Sequence, residues 1–274
     1  MSDEEKANLR FSGEQAMRLA QDQCAIGPRP PGSEALQKTR EYIAAQLKDN
    51  GWTVERQPFD FMGVHNENII GKKGDGPVTI IGAHFDTRPI AEKDPDPTRR
   101  QTPIVGGNDG ASGVAVLLEL ARVWAKTPPP GQTWLAFFDA EDSGSGGLPN
   151  WPWIVGSEYM AANLTVTPKQ VIVVDMIGDL DQQIYLETTS YQPLLNRIFD
   201  VAEGLGYSRW FVRQPRWSIL DDHHPFLSRY GVAADLIDFD YPYHHTVADD
   251  CTKIGPASLE RVGRTLELFM RRGG

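Results

Sequence analysis

The sequence predicts a single α/β domain, in which a mixed, mostly parallel twisted sheet lies between layers of helices. Three observations lead there. Short apolar runs alternate with stretches of helical spacing along the 274 residues, and that alternation implies a largely parallel sheet covered on both faces. At 40% hydrophobic residues the chain can bury a sizeable core. No internal repeat and no low-complexity linker interrupts it, so one domain over 1–274 is expected.

The elements follow in order. Residues 13–24 and 34–49 read as helices; in the second, Tyr42, Ile43 and Leu47 recur near helical spacing and "PPGS" makes a good entry. "GWTVERQPF" and "ENIIGKK" read as strands joined by a turn. "VTIIGAHFDT" is an apolar run ending in His84 and Asp86. "GASGVAVLLELARVWAK" is a helix that opens on small residues and closes before Pro128. "TWLAFFDAED" is a buried strand ending in Asp139, Glu141 and Asp142, and "KQVIVVDMIGD" repeats the pattern with Asp175. Residues 191–205 and 256–272 read as further helices.

Composition excludes several function classes. A net charge of −10 argues against a nucleic-acid groove, which needs a basic face. No window approaches the roughly 18 apolar residues of a membrane span. The start "MSDEEKANLRF" has no apolar segment, so no secretory signal is read there. A cytoplasmic protein fits that start, as does an exported one whose leader has been removed. Cys24 and Cys251 make no disulfide framework; they pair only if the fold brings both ends of the chain together. A monomer is expected.

The strand ends carry the chemistry. Acids after an apolar run are often turn residues, since Asp, Gly and Ser suit turns and burying charge without a partner is costly. Here, however, His84, Glu141, Asp142 and Asp175 all follow apolar runs. In open α/β sheets, sites form outside the carboxyl ends of strands, and these are metal-ligand residue types. In "PIVGGNDGASG", Asp109 stands at the mouth of a helix, where an N-cap is the plainer role. "YPYHHTVADD" adds His244 and His245 in a polar and aromatic loop. Histidine with carboxylates suits Zn²⁺ with an open position. "LDDHHPFL" offers Asp221, Asp222, His223 and His224 as helix caps, orienting groups or proton holders. Successive extended residues point to opposite sides, so one of Glu141 and Asp142 can hold a metal while the other stays free to move a proton.

"GAHFDTRP", "GGNDGASGVAVLLELAR", "FFDAED", "VVDMIGD", "DDHHPFL" and "YHHT" occur in an order that resembles the glutaminyl cyclases and their relatives, the zinc aminopeptidases. The likeness runs from about "IGPRPPGS" to the C-terminus. It implies that Asp109, Asp142 and His245 bind zinc, with Asp142 where cyclases often carry Glu. It implies Glu141 as the catalytic acid/base, and Asp175 and Asp221 as acids sharing protons with it. His84 and Asp175 match ligands of a second zinc in the aminopeptidases, yet cyclases working with one zinc retain both. Trp151 or Trp153, in the loop "GLPNWPWIVGSEYM", would wall a small pocket with Tyr241 and His244.

The expected activity is zinc-dependent cyclisation of N-terminal Gln of peptides or proteins to pyroglutamate, with release of ammonia. The alternative is a di-zinc aminopeptidase, since His84, Asp109, Asp142, Asp175 and His245 fill its metal positions. A non-catalytic binding domain would have no evident use for Glu141.

Overall fold

Most apolar runs become strands where their spacing places them, and the first two helices begin at capping serines. Helices α1 (Gly13–Ile26) and α2 (Glu34–Asp49) start on Ser12 and Ser33, whose hydroxyls accept from the amides of Gln15 and Leu36. Strands β1 (Thr53–Phe61) and β2 (Val64–Gly74) form a hairpin whose turn residues, Met62 and Gly63, both have positive φ. Then come β3 (Val78–His84), α3 (Ala111–Val123), β4 (Gln132–Phe138), α4 (Val155–Ala162) and β5 (Gln170–Asp175). The chain continues through β6 (Ile184–Leu186), α5 (Gln192–Leu205), β7 (Phe211–Pro215), α6 (His223–Tyr230), β8 (Ala233–Ile237) and α7 (Pro256–Arg271). This computed structural model describes residue 5 and residues 7–274. Residues 1–4 and 6 of the charged start, read above for a leader, lie outside the described residues.

The main sheet has the order β1-β2-β4-β3-β5-β8. β4, β3, β5 and β8 run parallel, while β1 and β2 pair antiparallel at one edge. This is the mixed, mostly parallel sheet expected. Both faces are dry. Leu135 and Phe137 of β4 and Ile172 and Val174 of β5 join one core with α1, α3, α5 and α7. Their neighbours Trp134, Ala136, Phe138, Val171 and Val173 join a second core with Met160 of α4 and Phe226 of α6. Burial on alternate faces explains why these strands read as continuous apolar runs.

Glycines set two close approaches that matter for the site. A Cβ on Gly82 of β3 would lie 2.3 Å from the Phe138 ring, which closes β4 just before its acids. A Cβ on Gly113 would lie 2.5 Å from the Val174 carbonyl and 2.9 Å from Ala83, so only glycine lets the start of α3 rest on the ends of β3 and β5. At the other end of the molecule's sequence, Cys24 of α1 and Cys251 are disulfide-bonded, with Cα atoms 6.2 Å apart. That resolves the pairing the sequence left open. Among the described residues, no helix is long and apolar enough to cross a membrane.

Candidate metal centre

His84, the last residue of β3, places Nε2 3.1 Å from Asp109 Oδ1 and 3.1 Å from Oδ1 of Asp175, the last residue of β5. The other oxygen of Asp109 lies 3.7 Å from His245 Nε2 and 3.8 Å from His244 Nε2. His245 Nε2 is also 3.3 Å from Asp142 Oδ1. Asp109 therefore bridges a His84–Asp175 group and a His245–Asp142 group. Donor atoms of His84, Asp109 and Asp175 fall within 4.8 Å of one another, as do those of Asp109, His244 and His245. Asp142 Oδ2 is buried without a hydrogen-bond partner. An orphaned carboxylate oxygen beside converging imidazole and carboxylate donors fits a divalent cation of the zinc type.

Asp109 is not the helix cap that its position offered. Gly110, at φ 105°, occupies the N-cap without a side-chain hydrogen bond, and this turn leaves the Asp109 carboxylate free to face the histidines. Asp222 likewise sits at the N-cap of α6 without capping it. The divergence of Glu141 and Asp142 also has another origin than strand alternation. β4 ends at Phe138, and Ala140, with φ 56°, turns the chain before both acids. Ser145, Ile154, Met176 and His245 are left-handed too, at φ 44°, 58°, 46° and 56°. Backbone held in such regions clusters where surroundings over-determine it, as at functional sites.

Buried carboxylates pin the ligand-bearing loops by their amides. Asp86 accepts from the amides of Glu141 (2.9 Å) and Asp142 (3.0 Å). Asp249 accepts from those of Asn108 (2.8 Å) and Asp109 (3.2 Å) and from the Tyr241 hydroxyl (2.7 Å). The buried Arg88 ties further parts together. Its guanidinium donates to the carbonyls of Asp142 and Gly144, pairs with Glu92, and lies 4.4 Å over the Trp153 ring. Trp153 stacks on His245 with centroids 5.9 Å apart.

Charge explains the protonation of the centre. Burial would lower the pKa of His84, but hydrogen bonds with Asp109, Asp175 and Asp86 outweigh it and raise it well above 6.5. Burial opposes His245 too, yet Asp142, Glu92 and Asp109 raise it to about 9. Burial would raise Asp109, but His84, His244 and His245 pull it below the usual range. Glu141 is raised well above 4.5, first by burial and then by Asp142, Asp222 and Asp221 against the opposing His84. Burial raises Asp175 despite His84, and raises Asp221 to about 6 with help from Asp175. Such a field favours a cation, whose binding would displace protons from the histidines.

A cavity of about 390 Å³ opens over these groups, lined by Glu92, Lys93, Asp109, Glu141, Asp142, Trp153, Asp175, Asp221, Phe239, His244 and His245 among others. Two residues expected in the pocket do not line it. Trp151 is buried edge-on to Phe61 at 5.1 Å, in an apolar cluster with Phe59 and Val155. Tyr241 is buried behind the wall, held by Asp249. Behind the cavity wall, Asp221 joins His223 and Asp235 in a buried group. Sequence reading missed Arg88, Glu92, Asp249 and Phe239. The one available signal was the four-residue step from Arg88 to Glu92 right after a site-bearing strand end.

A sheet between helix layers, with an aspartate bridging two His–Asp groups at its strand ends, makes an α/β domain with a candidate divalent-metal centre. The chain belongs to Peptidase family M28, whose model matches residues 68–270. It is similar to the uncharacterized protein YfbL of Escherichia coli (strain K12), 34% identical over 152 residues; the match spans 53% of this chain and 43% of that protein, less than half its length. A crystal structure of Porphyromonas gingivalis glutaminyl cyclase superposes with a TM-score of 0.91 at 29% identity, covering 96% of this chain and 99% of that one. A leucine aminopeptidase precursor from Bacteroides thetaiotaomicron superposes with a TM-score of 0.90 at 28% identity, covering 96% and 98%.

Proposed function

We propose that this protein is a zinc-dependent glutaminyl-peptide cyclotransferase. The observation that carries the reading is the closed side of the cavity. Trp153 stacks on His245 and walls a space of about 390 Å³ with Glu141 and Asp221 inside it, room for one N-terminal residue rather than a long peptide. Similarity to glutaminyl cyclases over nearly the whole chain supports it.

Asp109, Asp142 and His245 would hold one zinc ion. Bound there, zinc supplies a Lewis acid that polarises the side-chain amide of the substrate glutamine. Trp153, His244 and Phe239 confine that side chain so that the substrate's own amine faces its amide carbon, which converts a flexible encounter into a positioned one. The amine nitrogen bonds to the amide carbon and the carbon–NH₂ bond breaks. Glu141 accepts the proton from the amine and returns it to the departing nitrogen, which leaves as ammonia. Asp175 and Asp221, both raised in pKa by burial, line the same cavity as Glu141 and would share its proton.

A second reading is an aminopeptidase with two zinc ions, favoured by the compact His84–Asp109–Asp175 group. An ammonia assay with a peptide bearing N-terminal Gln, run beside a leucine-release assay and a zinc count, separates the two. Ammonia with about one zinc per chain is expected. Free leucine at a comparable rate with two zincs per chain would replace the first reading by the second. We take the working unit to be a monomer, which sedimentation checks.

A further inference from the structure

A second groove, about 600 Å³ in volume, runs from the active-site cavity along the edge strand of the sheet. Its walls are Phe59 and Phe61 from β1 and Val155 and Tyr159 from α4, with Phe59 and Tyr159 stacked at 4.6 Å. Trp153 and Leu220 line both the groove and the cavity, so the two spaces meet across one saddle. Leu220 is 55% exposed at that junction, a large apolar side chain the fold itself does not use. Along the rim stand Asp60 and Glu158.

We propose that this groove is a substrate subsite that takes an apolar or aromatic side chain at the second or third position of the peptide being cyclised. The inference rests on the cyclase reading of the cavity. Only the N-terminal residue fits inside the cavity, so the following residues must leave over its edge. At roughly 3.3 Å per extended residue, the second and third pass the Trp153–Leu220 saddle directly. An aromatic ring there is removed from water against Phe59, Phe61 and Tyr159, and aromatic pairs add to the simple gain of burial. Asp60 disfavours an acidic side chain at the same place, while Glu158 is tied to Arg229 at 3.0 Å.

The test compares kcat/KM for ammonia release from Gln-Gly-Gly-amide, Gln-Phe-Gly-amide, Gln-Gly-Phe-amide and Gln-Gly-Glu-amide, using the zinc-loaded enzyme and its F61S and Y159S variants. Partial burial of one phenylalanine is expected to favour one Phe peptide over the Gly peptide by roughly tenfold. In each variant that ratio falls toward one, and circular dichroism confirms that the variants are folded. Equal kcat/KM for all peptides, or a preference that survives both substitutions, overturns the subsite and leaves the cyclase reading standing. A change in sedimenting mass in F61S with unchanged selectivity assigns the groove to a second copy of the chain and also overturns it. No ammonia from any Gln peptide overturns the cyclase reading, and the subsite with it.

Discussion

His245 Nδ1 lies 2.7 Å from Glu92 Oε1, so the ring that turns its Nε2 toward Asp109 and Asp142 is held from behind by a carboxylate. Burial would raise the Glu92 carboxyl, but His245 and Arg88 hold it down to about 2, so it stays ionised at working pH. This bond fixes the tautomer in which Nε2 carries the free lone pair. Glu92→Ala should therefore weaken zinc binding by roughly 10- to 100-fold, as outer-shell partners of ligand histidines do. Excess zinc should restore most of the turnover. Unchanged zinc affinity in a competition with a chelator would show that Trp153 and the loop backbone alone orient the ring.

Glu141→Gln keeps the size and removes the base. Activity should fall about 10²- to 10⁴-fold, the usual range for a general base. Zinc content should remain near that of the unaltered protein, because the donors meeting at His245 Nε2 are Asp109 and Asp142. Loss of metal in this variant would exchange the roles of Glu141 and Asp142.

His84 separates one metal from two. Its Nε2 is shared between Asp109 and Asp175, each at 3.1 Å. With a single zinc on Asp109, Asp142 and His245, His84→Ala leaves about one zinc bound and part of the cyclisation intact. If His84 ligates a second zinc, the substitution halves the metal content and abolishes peptide-bond hydrolysis. Elemental analysis beside both assays decides.

The strand-end acids were legible because apolar runs on β3, β4 and β5 end abruptly in charge, and burial on both faces leaves a sheet no other place for it. β8 was not legible. Its "AADLI" is short, and Asp235 breaks the apolar run although the side chain is fully buried. The pocket wall was half legible: two tryptophans stand two apart in the loop, and sequence cannot say that Pro152 and the left-handed Ile154 turn Trp153 outward and Trp151 inward. The groups behind the ligands left only a faint trace, the four-residue step from Arg88 to Glu92, since both look like ordinary surface charges until the loop folds over them.

Asp238, just past β8, gives a pH dependence. Burial raises its pKa to about 7, partly offset by the amides of Gln183 and Asp240, against about 3.9 unfolded. The folded form thus holds this proton more tightly. Its stabilising contribution is full below about pH 4 and is lost as pH rises through 7. Asp238→Asn cannot ionise and still offers an oxygen to the Gln183 amide. The variant should gain on the unaltered protein in thermal midpoint between pH 4 and pH 8. A constant difference across that range would mean that Asp238 stays charged when folded.

The Cys24–Cys251 bond ties the end of α1 to the loop that carries Asp249, and it closes a separation of 227 residues. Pairs of this kind persist in oxidising compartments. Cys251 is two residues from Asp249, whose carboxylate holds the amides of Asn108 and Asp109, and a Cβ on Gly107 would lie 2.6 Å from the Cys251 amide. Loosening this loop therefore loosens the strap beneath the bridging aspartate. Cys24→Ser should cost about 2–4 kcal/mol of stability, the usual worth of a native bridge. At this chain length that lowers the thermal midpoint by roughly 5–15 °C. Zinc should also leave faster, because the Asp109 turn is less firmly held, while turnover at room temperature and saturating zinc remains. Treating the unaltered protein with a reductant should reproduce both effects, and treating Cys24→Ser with it should change nothing. An unshifted midpoint in both experiments would mean that the loop is held by Asp249 and Gly107 packing alone, with the disulfide adding nothing.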